Sequence, residues 1–408
     1  MSHPPVAITG YGCVSPIGNS SGEMLESLRA GRSGIGPLQF DRDLDRLHVK
    51  IGAQAINFDP TEHFETDQLN FLDRFAQLAM VAAREAVALS GLDEADVASS
   101  RTAVVLGTGI GGANTLDNAF FEFYGKRSRR FNPMTVPRLM TNAAASQVSM
   151  DLGARGVTFT TCSACASSNH AAAIGLALIR GGLADRVIAG GSEACITPGV
   201  VRSWELLRVL SPTHCSPFSK DRVGLVLGEG AGIVVLERQD IAKARGATIY
   251  GKLAGASMNS DADDLLRPNT ASAAEAMQLA LADAGVAPEA VTYINAHGTG
   301  TITNDITETE AVRKVFGSHA DVLAMSSTKS MHGHALGGVG AIELVATLLA
   351  IQHGFLPPTV NWKEPDPLCD IDCVPNTSRP AEIEIALSNS FAFGGLNSVL
   401  CVTNPDYD

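Results

Sequence analysis

The stretch TFTTCSACASSNHAAAIGLALIRGG, residues 158–182, places an extended segment, a turn and a helix in immediate succession. The β-branched TFTT favours a strand, and the Ala- and Leu-rich run near the end favours a helix that stops at the glycine pair 181–182. Two cysteines, Cys162 and Cys165, lie between them among small residues. We therefore predict that Cys165 lies at the helix N-terminus, where unpaired N–H groups and the helix dipole would favour a thiolate.

The same order of strand, glycine turn and helix recurs along all 408 residues. The strand-like runs are VAITGYG (6–12), RTAVVLGTG (101–109), DRVIAGG (185–191), GIVVLE (232–237), VTYINAHG (291–298), DVLAMSS (321–327) and SVLCVTN (398–404). Strands that alternate with helices predict a mainly α/β fold with buried sheets. A seam at residues 236–253 divides the chain, and we predict two similar halves, 1–245 and 246–408, fused into one body.

Composition excludes some classes of protein. Hydrophobic residues make up 45% and charged residues 18%, which is typical of a densely packed enzyme. A net charge of −13 argues against a nucleic-acid binder, because that function needs an excess of Lys and Arg. Eight scattered cysteines indicate free thiols in a reducing cytoplasm. The start lacks the pattern of a signal peptide, and the most apolar run, residues 341–351, is short for a membrane span and contains Glu343.

The pair Cys162 and Cys165 allows four interpretations. Zinc needs four ligands, and no second C-x2-C or H-x3-H follows. A thioredoxin-like redox pair has this spacing but lacks the aromatic-Gly-Pro context. Either cysteine could also be a small buried side chain, which is the usual role of a single cysteine. The fourth interpretation is a catalytic nucleophile with a bystander.

Two later glycine-rich segments favour the nucleophile. NAHGTGTITND (295–305) carries His297 directly after a predicted strand, and KSMHGHALGGVGAIE (329–343) carries Lys329, His332 and His334. A thiol, imidazole donors and a charged pair that orients them are the components of covalent thiol catalysis.

One motif suggests a different function. GTGIGG, residues 107–112, follows an apolar strand and fits the dinucleotide fingerprint G-x-G-x-x-G. The sequence after it ends in a basic segment, where the fingerprint requires a second strand with a closing acidic residue. We therefore reject the dinucleotide interpretation.

Together, TCSACASS, VIAGGSEA, GEGAGIVVLE, NAHGTGT, KSMHGH with LGGVGAIE, and NSFAFGGLNS resemble the β-ketoacyl-acyl-carrier-protein synthases. The elongating type II enzymes and the related polyketide ketosynthases are the nearest members. The resemblance covers nearly the whole chain in the family's order. It implies the thiolase fold, in which two fused βαβαβαββ halves form α-β-α-β-α layers, usually as a homodimer.

By position, the resemblance also implies residue roles. Cys165 matches the acylated nucleophile, and His297 and His334 match the pair that acts on the malonyl group. Lys329 and Glu343 match the supporting charged residues. Cys162 matches no functional position of the family.

The segment FAFGG matches the family's gating loop. Phe393 supplies a backbone N–H that joins that of Cys165 in the oxyanion hole, and Phe391 belongs to the same mobile loop. The other substrate-binding positions implied are Thr299 and Thr301 at the pantetheine arm and Ile110 and Trp204 along the acyl channel.

The implied reaction is a decarboxylative Claisen condensation of acyl-ACP with malonyl-ACP, without a catalytic metal, flavin or nicotinamide. Whether a structural monovalent cation binds near Asn295, Glu343 and Asn389 is left open by the sequence. One alternative is the ketosynthase subunit of a type II aromatic or aryl polyene system that works with a chain-length-factor partner. A second, from a different class, is a thiol hydrolase of acyl thioesters.

The expected partner is an acyl carrier protein, which in this family docks on basic residues near the pocket. The candidates here are Lys126, Arg127, Arg129, Arg130 and Arg208. The family's second basic element is a helix, and this chain has TDQLNFLDR there, with Arg74 as its one basic residue. This difference predicts a specialised carrier protein or a heterodimer partner.

Overall fold

The computed structural model describes residues 4–42 and 45–407. Ten strands form one large sheet, and we number them in chain order. They are β1 Val6–Val14, β2 Thr102–Gly107, β3 Thr158–Thr161, β4 Arg186–Glu193, β5 Gly230–Arg238, β6 Gly251–Ser260, β7 Tyr293–Asn295, β8 Ala324–Ser326, β9 Ile385–Ala392 and β10 Leu396–Thr403. All seven strand-like runs singled out in the sequence are strands here.

Fourteen α-helices are seen in the described part of the chain. They are α1 Ser21–Ala30, α2 Thr66–Leu69, α3 Arg74–Ser90, α4 Glu94–Val97, α5 Ala113–Phe120, α6 Thr135–Leu139, α7 Ala143–Leu152, α8 Ser167–Arg180, α9 Pro198–Leu206, α10 Gln239–Ala244, α11 Thr270–Ala284, α12 Ile302–Phe316, α13 Lys329–His332 and α14 Val339–His353. Short two-stranded ladders join Gly36–Pro37 to Ile51–Gly52 and Phe355–Leu356 to Arg379–Pro380.

The strand order shows an internal duplication. From one edge to the other it runs β3-β2-β4-β5-β1, then β6-β10-β9-β7-β8. Each set of five has the same order, read outward from its first strand, with parallel pairing among the outer three strands and antiparallel pairing elsewhere. The two sets meet where Ala7 and Ile8 of β1 pair with Lys252 and Gly251 of β6.

Helices on both faces of the two sets produce five layers. The central helices α8 and α14 each contact strands from both sets, whereas α3 covers β1 and β5 from outside and α11 covers β6 and β10. These central helices consist mainly of small and apolar residues, and α14 is buried from Val339 to Ile351. This is the α-β-α-β-α arrangement that the resemblance implied. The boundary between halves at residue 245, which lies just after α10, stays a prediction.

One stretch, Leu336–His353, is long and apolar enough to cross a membrane by length and composition. It is longer than the sequence run suggested, because a 3-10 turn, Leu336–Gly338, leads directly into α14. Since 89% of it is buried inside the protein, it is the central core helix.

Candidate active site

Cys165 lies in the sharp turn between β3 and α8 that the sequence predicted. The preceding residue, Ala164, has a φ of 49°, a left-handed conformation that is costly for a residue with a side chain and is typical of functional turns. The thiol is buried, and its Sγ lies 3.1 Å from Nε2 of His334. The nucleophile candidate and one of the two histidine candidates are therefore in direct contact.

The prediction of a stabilised thiolate is wrong for the resting site. Burial raises the pKa of Cys165 to about 12, although the charge of Lys329 and the backbone N–H groups of Phe393 and Cys165 lower it. The negative charge of the buried Glu193 raises it further. Cys165 is a neutral thiol at neutral pH.

His297 and His334 face each other edge to face, with ring centroids 5.5 Å apart. Burial, reinforced by the positive charge of Lys329, holds the pKa of both rings well below its usual value, so both are neutral. In each ring Nδ1 has no hydrogen-bond partner in the described structure. Because a buried donor without a partner costs more than a buried acceptor without one, the proton belongs on Nε2 of each ring.

A buried carboxylate that the sequence analysis missed orients His297. Glu308 of α12 accepts hydrogen bonds from the backbone N–H groups of His297, at 2.8 Å, and Gly298, at 2.7 Å. It also accepts one from the side-chain amide of Asn389 at 3.0 Å. Glu308 thereby fixes the loop that presents His297.

Lys329 and Glu343 form a fully buried ion pair, with 2.5 Å between Lys329 Nζ and Glu343 Oε1. Burial raises the pKa of Glu343 to about 7, against the lowering effect of Lys329. The pair lies behind the two histidines, and its lysine contributes to keeping both imidazoles neutral.

The second oxygen of Glu343 belongs to a group of buried polar atoms without hydrogen-bond partners in the described structure. The other members are the side-chain oxygens of Asn295, Ser388 and Asn389. Asn295 and Ser388 pair directly between β7 and β9. Oxygen ligands of this kind suit a hard cation, so these residues fit the structural cation that the sequence left open.

The gating loop closes over the thiol. Phe393 stacks on Trp204 of α9, with ring centroids 5.7 Å apart and the planes 20° from parallel. Phe391 contacts the His297 ring edge to face at 6.0 Å. The backbone N–H groups of Phe393 and Cys165 both lie close to the sulfur, so they are the candidate donors to an oxyanion formed next to it.

A cavity of about 120 Å³ opens onto the thiol. The hydroxyls of Thr299 and Thr301, 2.9 Å apart, line it as expected. Arg267, which the sequence analysis missed, is a basic residue at its mouth. Ile110 does not line this cavity and is 37% exposed, so its place in the acyl channel stays a prediction.

The predicted docking residues Lys126, Arg127, Arg129, Arg130 and Arg208 are exposed. The basic segment 126–130 is followed by Asn132, whose side-chain amide donates to the carbonyl of Asn70 at 3.3 Å, just after the acidic helix α2. Arg74 is not a free docking residue, because it forms an ion pair with Glu229 at 2.8 Å. The second docking element therefore offers no free basic side chain among its described residues.

The fingerprint-like loop 107–112 does follow a strand and precede a helix, but its amides are occupied. The N–H groups of Gly109 and Ile110 donate to Glu193, at 2.6 and 3.3 Å. A phosphate would need such groups free, so the structure agrees with the rejection of a dinucleotide site.

Cys162 is exposed and its Sγ lies 3.4 Å from the Gly109 carbonyl. All eight cysteines are free. No group of three or more His, Cys, Asp or Glu side chains within residues 4–42 and 45–407 could hold a metal ion.

Comparison with known proteins shows which family this chain belongs to. Residues 3–242 match the family model of the beta-ketoacyl synthase N-terminal domain, and residues 250–363 match that of its C-terminal domain. The chain belongs to the beta-ketoacyl synthase family. The predicted family, the fold class and the class of enzyme, a condensing acyltransferase, are thereby confirmed.

Individual relatives cover nearly the whole length. The chain is 46% identical to nodulation protein E of Rhizobium sp. (strain N33), over 97% of this chain and 98% of that protein. It is 41% identical to 3-oxoacyl-[acyl-carrier-protein] synthase 2 of Synechocystis sp., over 97% of each. Among solved structures, the ishigamide ketosynthase/chain length factor superposes with a TM-score of 0.94 and 34% identity, covering 99% of this chain and 100% of that one.

Proposed function

We propose that this protein is a 3-oxoacyl-ACP synthase that extends an acyl chain bound to Cys165 with a two-carbon unit from malonyl-ACP. The observation that carries the proposal is the contact of the Cys165 thiol with a neutral His334, beside a second neutral imidazole, under two backbone donors. Free thiols and the reducing compartment they suit support a cytoplasmic enzyme.

In the first step, Cys165 Sγ attacks the thioester carbonyl of acyl-ACP. The N–H groups of Cys165 and Phe393 stabilise the tetrahedral oxyanion. The carbon–sulfur bond to pantetheine then breaks, and the proton of the thiol ends on the released pantetheine sulfur. The product is an acyl–Cys165 thioester.

In the second step, malonyl-ACP occupies the position next to the histidines. Nε2–H of His297 and of His334 donate to its thioester oxygen, so negative charge can develop there as the carbon–carbon bond to the carboxylate breaks. CO₂ leaves and an enolate remains, without any need for a strong base. Both imidazoles are neutral, and a neutral ring protonated on Nε2 can donate this hydrogen bond.

In the third step, the enolate carbon attacks the acyl carbonyl. The same two backbone N–H groups receive the new oxyanion, and its collapse expels the Cys165 thiolate, which takes up a proton. The product is a 3-oxoacyl-ACP two carbons longer. The buried location of the histidines keeps water from quenching the enolate.

The carrier protein supplies both substrates on phosphopantetheine. We propose that the arm enters between Thr299, Thr301 and Arg267, whose positive charge suits the phosphate. The exposed segment 126–130 and Arg208 would meet the acidic carrier protein by charge complementarity.

The second candidate function is the ketosynthase subunit of a type II polyketide system. The similarity to a ketosynthase/chain length factor favours it. A large exposed apolar patch, which we call the aromatic patch, is available for a partner subunit, either a second copy or a chain-length-factor homologue. Its members are Phe120, Phe121, Phe123, Tyr124, Phe131, Val136 and Met140.

The substitution Cys165→Gln tests the division of roles. Decarboxylation uses the two histidines, so the variant should still release CO₂ from malonyl-ACP while condensation falls by at least about 1000-fold. Radiolabelled malonyl-ACP measures both. Loss of both activities in a folded variant would contradict the proposal, and release of free acid from acyl-ACP by the wild type would favour a hydrolase.

A further inference from the structure

Glu193 is a buried carboxylate that the reaction just described does not use. It ends β4, has no exposed surface and pairs with Gly230 of β5. It has no ion-pair partner among the described residues. Burial raises its pKa to about 7, even though the hydrogen-bond donors around the carboxylate act in the opposite direction.

The carboxylate joins two segments that are far apart in sequence. On one side it accepts from the N–H groups of Gly109 and Ile110 and from the hydroxyl of Thr108, at 2.6, 3.3 and 3.2 Å. On the other side it accepts from the N–H of Gly337 at 3.1 Å. The two backbones touch here, because a Cβ on Gly337 would lie 2.1 Å from the nitrogen of Gly109.

The first segment is bound to the nucleophile turn. The Ser167 hydroxyl lies 3.2 Å from the Thr108 carbonyl and 2.6 Å from the Ala164 carbonyl, between which its one hydrogen is shared, and it accepts from the N–H of Ser163 at 2.8 Å. Gly107 packs so closely on the start of α8 that a Cβ there would lie 2.4 Å from the backbone of Ser167. A shift of this loop would therefore move Cys165.

The second segment, the turn 336–338, follows His334 closely in the sequence. Gly337 follows His334 by three residues, within the tight turn that begins α14. The His334 backbone is fixed on its other side by hydrogen bonds with Val226 and Gly228, at 2.7 and 2.9 Å. The Glu193 carboxylate is thus a side-chain connection between loop 107–112, which packs on the start of α8, and the turn 336–338, which follows His334. A second one is the bond from the N–H of Ala341 to the Ser168 hydroxyl at 3.0 Å.

We infer that Glu193 is a positioning residue that sets Cys165 relative to His334 by clamping loop 107–112 to the turn 336–338. This inference rests on the proposed function, since it assigns the residue to the acyl-transfer step of the same site. A carboxylate is the side chain required, because all four neighbours are donors. A glutamine of the same shape would direct its NH₂ group at one of these donors and leave it unsatisfied.

The test compares Glu193→Gln with Glu193→Asp and with the control Glu237→Gln. Glu237 is equally buried and lies at the opposite end of the β4–β5 pair, bonded to Arg186 and Arg245. The readouts are the maximal single-turnover rate of acyl transfer from acyl-ACP to Cys165, the half-saturating acyl-ACP concentration and the melting temperature.

We expect Glu193→Gln to lower the maximal rate by about tenfold or more, with an unchanged half-saturating concentration. Glu193→Asp should recover part of the rate, because it keeps the acceptors. Glu237→Gln should lower the melting temperature while its rate stays within about twofold of the wild type. Should Glu193→Gln fail to fold, Thr108→Val, which removes one donor, should show the same effect in smaller degree.

Two other outcomes would distinguish failure of this inference from failure of the proposed function. A Glu193→Gln rate within about twofold of the wild type, or a loss of rate in Glu237→Gln equal to that in Glu193→Gln, would overturn the inference while leaving the proposed function intact. A wild-type protein that accepts no acyl group from any acyl-ACP would overturn the proposed function and this inference with it.

Discussion

At the scale of single residues, the site works with neutral groups. The Cys165 thiol and the two imidazoles are uncharged because all three are buried, and the buried lysine behind them adds to this effect for the histidines. A neutral imidazole that carries its proton on Nε2 can donate a hydrogen bond to an enolate oxygen. The arrangement is compatible with the condensation proposed above.

The raised thiol pKa has a measurable consequence. The thiolate fraction of a thiol with a pKa of about 12 rises with pH throughout the accessible range, so alkylation of Cys165 by iodoacetamide should accelerate about tenfold per pH unit from roughly pH 7 to 10. Because Cys162 is exposed, the experiment belongs in a Cys162→Ala background, with peptide mapping of Cys165. A rate that levels off near pH 7 would contradict the neutral resting thiol.

Local patterns predicted Cys165, His297 and His334, because each follows a strand within glycine-rich or small-residue sequence. They could not predict Glu193 or Arg267. Glu193 meets its partner Gly109 across 84 residues of sequence, and nothing near either residue indicates the contact. The thiol pKa was also mispredicted, since desolvation depends on the whole surrounding core.

At the scale of elements, the predicted gating loop packs on α9 through Phe393 and Trp204. Trp204 is held on α9, and its stacking on Phe393 fixes the residue whose N–H faces the thiol. We propose that the indole lies beside the acyl chain and, by stacking on Phe393, also holds the oxyanion hole in place.

Truncation of this indole should separate its effect on chain-length preference from its effect on the rate of acyl transfer. Trp204→Ala should raise the ratio of long-chain to short-chain acyl transfer by about tenfold, because space opens beside the thiol, and should lower the rate with short chains. Trp204→Phe, which keeps a stacking ring, should change the ratio much less. Intact-mass time courses with a set of acyl-ACPs measure it, and an unchanged chain-length profile in Trp204→Ala would contradict a role in the channel.

Elements differ in how well the sequence predicts them. The apolar strands β1, β2 and β5 are evident from their β-branched runs. By contrast, β6 and β9 were missed, because GKLAGASMNS and IALSNSFA are rich in small and polar residues. The polar side chains of β9 are buried to serve the site, which conceals the strand in the sequence.

At the scale of the whole molecule, duplication places the two catalytic segments together. The first five strands and the second five have the same order, and each set carries part of the site: Cys165 after β3, His297 after β7 and His334 after β8. The shared central helices α8 and α14 hold these parts in one core. The strand and helix patterns alone predicted two similar halves, and the single central helical layer came only from the family resemblance.

The aromatic patch predicts a dimer. Tyr124 contacts Phe120 and Phe123 of the patch and is 73% exposed in the single chain, and contiguous exposed apolar side chains are typical of an interface. Tyr124→Asp should convert a dimer into a monomer in light scattering, because the interface would have to bury a charge. Leu183→Asp, at an exposed leucine outside the patch, is the control. A dimer that survives Tyr124→Asp would contradict this assignment.

The central claim is that Cys165 carries the growing acyl chain. The most direct measurement is the intact mass of the wild-type protein after incubation with acyl-ACPs of different lengths, followed by peptide mapping. The account predicts an acyl thioester on Cys165 for at least one length, absent from Cys165→Gln and released on addition of malonyl-ACP. An acyl group on another residue, or no adduct from any acyl-ACP with folded protein, would contradict it.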